Sequence, residues 1–582
     1  LDANTTASDN DAFGAYALSV VVTGTRNSAF GRSALQENTA SDNVAFGHEA
    51  LKVNTTGDKN TGIGPYALDA NTTGSQNVAL GYLALSSNTT GNSNVAIGDQ
   101  ALFTQTTGGN NNVAVGRYSQ YYNATGTQNT TLGSGSLTNN SSGNNNTALG
   151  FEALNDSTTG DDNTGVGAYA LDTNTTGSYN TACGYHALGD NTTTSHNVAV
   201  GYEALGSNTA DYNTAVGKEA LASSTTGSRL VAVGNRALYT NSTGSYLTAI
   251  GDHALNANTT ASYNIAVGYY ALVANTTGSE NTAVGTQALQ NAVTDDANTA
   301  IGYRALESCN GGQYNVAVGS RTLEDTTTGD YNVAMGYNAL HNNTTANDNV
   351  AVGHEALLTA TTAASNTAVG HQALYTVNGD GSSGSNNTVI GRKAGYNMST
   401  GYRNVCVGNN AGERITTGYR NTCVGNIAGY STGQTGYNNT LLGYNAQCPA
   451  DGTNNHFVLG NSSVDTLACQ QTSISGLSDR RDKKDIIDCI YGLDVINSIR
   501  PRQFTWAMRE PSDIDGKIEL GFIAQELDEV LGDKNDVIHA VSKTNPDKLF
   551  ASPGKFVPIL VKAVQELSAE NTALKQRLDA AG

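Results

Sequence analysis

Residues 60–93 read NTGIGPYALDANTTGSQ and then NVALGYLALSSNTTGNS, two 17-residue units with the same order of residue types. The unit N-T/V-A-V/I-G-Y-x-A-L-x-x-N-T-T-G-S-x extends along the chain in both directions. Its first Asn recurs at Asn43, Asn60, Asn77 and Asn94, and from Asn10 to position 456 there are 27 such anchors, with Leu230, Leu247 and His456 among the replacements. Most intervals are 17 residues; the rest are mainly 16 or 18, with one of 21 around Gly379–Gly384. A Gly stands four residues after every anchor, as at Gly47, Gly64, Gly81, Gly353 and Gly443. An obligatory Gly marks a backbone position with positive φ or no room for a Cβ.

The segment before that Gly, TAVG in many copies, reads as a short strand of small and β-branched residues. NTTG reads as a turn. The ALxxN between them is either extended or turn-like. One strand-and-turn coil per repeat defines a parallel β-solenoid or β-roll, in which stacking supplies the core that a single coil lacks. The Val/Ile and Leu columns are expected to form a thin apolar interior. At one strand spacing per coil the rod is expected to be about 130 Å long.

Composition agrees. The 582 residues include 66 Gly but only 7 Pro and 1 Trp, with 38% apolar and 14% charged residues. That is too few large apolar residues for a string of ordinary globular cores. Gly has no three-residue period, which excludes collagen. The net charge of −20 argues against a nucleic-acid partner. No run of 18 apolar residues is present, so no membrane insertion is expected. Seven Cys are too sparse for a disulfide scaffold; Cys406 and Cys423, in one column of adjacent repeats, read either as a pair or as small apolar core residues. The chain starts at Leu1 in mid-repeat, which points to a piece of a longer protein.

The repeats divide into two subtypes. Residues 1–386 carry the Leu column. From Asn387 to 460 that column becomes Gly, as in KAGYNMSTG and NAGERITTG, and a different diameter or twist is expected there. The NTAVGxxAL units resemble the head repeats of trimeric autotransporter adhesins, with a longer period. That resemblance implies a left-handed parallel β-roll with three chains around one axis. A thin roll with an apolar stripe also needs a partner surface.

The composition changes near residue 461. The last 105 residues hold 15 of the 30 basic residues, five of the seven Pro and the single Trp506. Residues 461–477 read as a linker. In the next stretch Ile486, Ile487, Ile490, Leu493, Ile496 and Ile499 have helical spacing, ending before Pro501. ELGFIAQELDEVLG reads as a strand entering a helix. In the final segment Leu560, Val564, Leu567, Asn571, Leu574 and Leu578 are spaced 4-3-4-3-4, an a/d seam with Asn571 fixing register. A coiled coil over 558–580 is therefore expected, with parallel partners.

Residues 478–582 resemble the intramolecular chaperone autoprocessing domain at the C-termini of phage tail spikes and fibres of the endosialidase type. The family motif S-D-x-R-x-K reads Ser478, Asp479, Arg480, Arg481, Asp482, Lys483, and its G-x-I-A-Q-E reads Gly521 to Glu526, with Gln525 and Glu526 at its end. The resemblance implies that Ser478 attacks the carbonyl of Leu477, that Lys483 is the base, that Asp479 orients the site, and that the Leu477–Ser478 bond breaks. Arg481, Gln525 and Glu526 are the supporting motif residues. Chemically, a Ser hydroxyl needs a base, and a Lys serves only when neutral, which neighbouring positive charge from Arg480, Arg481 and Lys484 favours. Alternatively SDRRDKKD is a capped, solvated helix start.

Among other residues, His48, His354 and His371 share a column and read as surface His, and no metal or other cofactor is expected. Tyr82, Tyr185, Tyr202, Tyr269, Tyr303 and Tyr337 follow the repeat Gly, as a packing ladder or as a glycan-binding strip. The leading expectation is a mainly β, homotrimeric viral tail fibre or host-attachment shaft. It is extracellular or virion-borne, meets a host surface receptor such as a glycan, and has a small α/β chaperone domain that acts as a single-turnover serine peptidase on its own chain. The alternatives are a non-cleaving bacterial surface adhesin and a polysaccharide-degrading tail spike, although the paired carboxylates of a glycosidase are not identifiable.

Overall fold

The computed structural model describes residues 6–20, 22–379, 382–430, 434–464, 480–507, 516–543 and 549–581. The chain divides into two compact units, residues 1–349 and 350–582. Their described residues contain 27 three-residue strands, β1 (Asp11–Phe13) to β27 (Phe457–Leu459), of which β1–β20 belong to the first unit. Within each unit every strand pairs in parallel with the next, in register one repeat apart, as in Thr61↔Val78 and Val78↔Val95. The chain is thus a parallel solenoid with one coil per repeat.

The coil of residues 77–93 shows how the repeat folds. Coil-to-coil backbone bonds run in both directions: Val78 N donates to Asn94 O at 2.8 Å, Gly81 N to Ile63 O at 2.9 Å, and Leu85 N to Ala101 O at 2.8 Å. Gly81 has φ +144°, and a Cβ there would collide with the carbonyl of Gly98 in the next coil. This is the reason for the invariant Gly. The ALxxN segment is a turn rather than an extended piece: Leu85 has positive φ, at 51°, as does Leu83 just before the segment, at 55°. Left-handed Leu costs about 1–2 kcal/mol, and the bonds to neighbouring coils offset it.

The interior departs from the expected one. In a three-residue strand the outer two side chains face away from the core and the central one faces in. Ala79 is therefore buried, while Val78 and Leu80 are exposed. The Leu column is inside, together with the Ala beside it (Ala84 and Leu85). The Val/Ile column is outside.

The remaining interior is asparagine. Asn77 N donates to Asn60 Oδ1 at 2.9 Å, and Asn77 Nδ2 donates to Gly91 O at 2.8 Å. The Asn of the NTTG turn forms a second buried ladder: Asn71 Nδ2 donates to Asn54 Oδ1 and Asn88 Nδ2 to Asn71 Oδ1, both at 2.7 Å. Buried amides are stable only when paired, and in these ladders each coil supplies the next one's partner.

The Gly-column coils keep the same path. Gly395, Gly412 and Gly429 stand at the Leu position with φ of 58–66°, and Gly412 N donates to Ala428 O at 2.7 Å as the Leu residues do to their equivalents. The lost Leu volume returns elsewhere: the strand centre becomes Val389, Cys406, Cys423 or Leu441, and the turn Asn becomes Met398 or Ile415, all buried. The interior is rearranged, whereas the hydrogen bonding of the coil is not.

The C-terminal part of the second unit is a small α/β body. It comprises α1 (Leu493–Ser498), a hairpin of β28 (Arg502–Thr505) and β29 (Ile518–Gly521), α2 (Ala524–Leu531), α3 (Asn535–Ile538), the short pair β30 (Val541–Ser542) and β31 (Phe550–Ala551), and α4 (Val557–Ala581). Val495, Leu527, Leu531, Ile538, Phe556 and Ile559 are in its core. The helix expected from Ile486 onward begins only at Leu493. Residues 483–490 are irregular, and Ile486, Ile487 and Ile490 are exposed. Their spacing is helical, but among the described residues nothing covers them. The strand expected to enter a helix at ELGFIAQELDEVLG is present as β29 and α2.

Candidate active site and assembly surfaces

Of the residues expected to carry the cleavage, Leu477, Ser478 and Asp479 lie outside the described residues. Arg480–Asp482 form one 3-10 turn, closed by Lys483 N donating to Arg480 O at 3.2 Å. Arg481, Lys483 and Lys484 are exposed there, a local concentration of positive charge immediately after the expected scissile bond.

The second motif forms a joint. Gly521 ends β29 against the Phe504 ring, where a Cβ would sit 3.2 Å from Phe504 Cε1. Phe522 turns onto Phe556, with ring centroids 5.7 Å apart. Ala524 then starts α2 on the buried side, and Gln525 faces out. Glu526 takes Arg502 of β28 in a bidentate pair, both bonds at 2.8 Å. The Arg502 guanidinium holds the Glu526 carboxyl below its ordinary value. The motif thus ties helix to hairpin.

Sequence reasoning did not single out Glu566. Its Oε2 accepts the backbone N–H of Leu493 at 2.7 Å, fastening the start of α1 to α4. Gly492 leaves room for that carboxylate. A buried Asn535, which bonds Val541 in both directions at 2.9 Å, fastens α3 to β30.

Helix α4 runs unbroken through the expected 558–580 segment. Its inner face is Ile559 and Ala563, and the seam residues Leu560, Val564, Leu567, Leu574 and Leu578 are all exposed, as is Asn571. No helix among the described residues is long and apolar enough to cross a membrane.

On the coils, the tyrosines that follow the repeat Gly are exposed and only partly laddered: Tyr185 and Tyr202 stack at 5.5 Å, whereas Tyr82 meets Tyr66 edge-on at 6.3 Å. A more regular ladder, not singled out from sequence, stands one residue before the anchor. There Tyr179, His196 and Tyr212 stack at 5.0 Å with planes within 3°. Rings stacked in this way turn their faces to one another and only their edges outward. His354 and His371 also stack, at 5.1 Å.

In sequence, the parallel β-solenoid is followed by a small α/β body. Residues 478–535 match the family model described as the chaperone of endosialidase, a peptidase family, and the C-terminal segment carries that domain. The match implies a trimerising, autoprocessing chaperone in a protein of tail-fibre type. No curated protein is significantly similar to the chain.

Proposed function

We propose that the chain is the shaft of a homotrimeric viral tail fibre that attaches to a host surface. Its domain at 478–582 aligns three chains and then cuts itself away at Leu477–Ser478. The observation that carries the assembly is the outward column of the solenoid. In all twenty strands of the first unit the third residue is apolar, from Phe13, Phe30 and Phe46 to Met335, with Cys183 in the column. Phe13, Phe30 and Phe46 stack at 4.7 and 4.6 Å while remaining exposed. An apolar stripe this continuous marks an interaction surface. Copies of the same stripe, packed about a parallel axis, cover it in every coil. The seam of α4 meets its own copies in the same way, as a parallel coiled coil.

In the cleavage, Lys483 takes the Ser478 hydroxyl proton. Ser478 Oγ bonds to the Leu477 carbonyl carbon, and the Leu477–Ser478 amide breaks, its nitrogen receiving the proton. Water then hydrolyses the resulting ester. Three-chain register is non-local and slow to find; tethering three chains at one end raises their effective concentration. Removing the tether afterwards makes the fibre kinetically stable.

Two measurements test this reading. On a denaturing gel the wild-type chain is expected to release a fragment beginning at Ser478, and Ser478→Ala to stay whole; an intact wild-type chain refutes autoprocessing. By light scattering the fibre is expected at three chain masses, and Cys183 is expected to cross-link between chains with a short bis-maleimide. A monomer, or Cys183 that reacts without cross-linking, refutes the packing of the stripe.

A further inference from the structure

We propose that Cys406 and Cys423 form a disulfide that staples two neighbouring coils of the second unit. The two residues are direct partners in the parallel ladder, at the centres of adjacent strands. Both side chains point into the interior and are fully buried. Both are free thiols in the structure; paired Cα atoms in a sheet lie about 4.8 Å apart, inside the roughly 4.4–6.8 Å range that a disulfide spans, and the bond needs the two Cβ atoms, spaced like the strands, drawn a few tenths of an ångström together to about 4.5 Å. The interior is shaped around the sulfurs: a Cβ on Gly412 would lie 2.5 Å from Cys406 Sγ, and one on Gly429 2.7 Å from Cys423 Sγ. In the earlier coils the same space holds the Leu side chain over a strand-centre Ala. The adjacent Cys406 side chain, together with burial, raises the Cys423 thiol well above its ordinary value.

The chemistry follows from that burial. Thiol–disulfide exchange needs a thiolate and access to it. Once the coils have closed, both side chains are buried and neither is accessible, so the bond forms while the coils are still open. The oxidant is a small-molecule disulfide of the glutathione type. One Cys thiolate attacks it to give a mixed disulfide and one free thiol; the second Cys thiolate displaces the other half. The two Cys residues lose two electrons and two protons in all, and the oxidant leaves as two thiols. Burial then shields the product from reductants. The bond closes a loop of one repeat, fixing the pitch between two coils of a structure whose stability is a sum of neighbour contacts.

The test uses the full chain refolded from denaturant in a glutathione redox buffer, then alkylated and digested with trypsin without reduction. Arg414 and Arg420 separate the two cysteines, so the bond joins residues 404–414 to the peptide that begins at Asn421. A second cleavage after Tyr430 separates Cys423 from Cys448. The expected result is a linked pair two mass units below the sum of its free peptides, absent in Cys406→Ala and in Cys423→Ala. In folded protein the link is expected to survive millimolar dithiothreitol that reduces it at once in denaturant. Because either Ala variant could misfold, the wild-type protein also serves: its thiol titre in denaturant is expected to fall by two after refolding with the oxidant. If Cys406 alkylates to the same extent as exposed Cys489, or if Cys423 is found joined to Cys448, the proposal is overturned.

Discussion

Asp295 replaces the small residue of the NTTG turn and puts a carboxylate inside the solenoid. It is fully buried; its Oδ1 accepts the N–H of Gly311, and its Oδ2 has no partner. One coil earlier, Asn275 Oδ1 is also unpartnered, because the next residue of its ladder is Ala292. Both oxygens are acceptors, and a proton on Asp295 allows it to donate. Burial accordingly pushes the Asp295 carboxyl from 3.8 up to about 6.

The sign follows from linkage. The folded state holds the proton more tightly than the unfolded state does, so this group's contribution is fully present below pH 4 and is lost as pH rises toward 6. A shift of this size corresponds to about 3 kcal/mol, or roughly 150-fold in the local opening equilibrium. Asp295→Asn supplies a permanent N–H donor and no charge. It is expected to lower the opening of strands Thr282–Val284 and Thr299–Ile301 by about that factor at pH 8 and to have little effect at pH 4. Hydrogen exchange read by mass spectrometry, corrected for the intrinsic pH dependence of exchange, measures it coil by coil; a whole-molecule melting point does not, because a repeat array need not unfold in one step. Equal protection of wild type and variant at pH 8, or the same gain at both pH values, refutes the reasoning.

Three further outcomes follow from the structure. Lys483→Arg keeps the positive charge but cannot supply a neutral base. The chain is expected to assemble and remain uncut on a denaturing gel; cleavage at the wild-type rate removes Lys483 from the mechanism. Glu566→Ala leaves the Leu493 N–H without its acceptor and is expected to cost the C-terminal body about 1–3 kcal/mol in urea unfolding, whereas an unchanged midpoint shows that the α1–α4 tie is dispensable. Gly412→Leu alone is expected to disrupt its coil, because its Cβ meets Cys406 Sγ at 2.5 Å and Ile415 Cδ1 at 3.0 Å. The triple change with Cys406→Ala and Ile415→Asn is expected to restore exchange protection there, and additive losses refute the compensation.

The period, the strands, the invariant Gly and the C-terminal helix were legible because each depends on local residue types repeated or spaced in order. The interior was not, for reasons particular to the coil. An Asn beside Thr and Gly ordinarily means a turn exposed to water, and the Asn71 and Asn88 ladder becomes visible only when a neighbouring coil supplies the acceptor. Val78 and Leu80 looked like core because apolar residues usually are, yet with three residues per strand only the central Ala79 can point inward. The segment around Ile486, Ile487 and Ile490 failed in the opposite sense: it has the pattern of a helix, yet among the described residues it is irregular and its Ile side chains are exposed.

These misreadings share a cause, which also bears on function. The residues placed inside from sequence and found outside are Val78, Leu80 and their column on the coils; Ile486, Ile487 and Ile490 and the α4 seam are likewise exposed. Each is apolar at positions that a monomer leaves to solvent, at a cost of order 25 cal/mol per Å2. A chain that only needed to fold alone gains nothing from an apolar residue at the third place of each of twenty strands, since Thr would serve the strand equally well. The pattern is consistent instead with a second level of packing between copies. The Asn ladders fit the same scheme: with amides and the Leu and Ala columns filling the interior of the coil, the Val, Ile and Phe side chains of the strands are left for the outside, where partner chains can bury them.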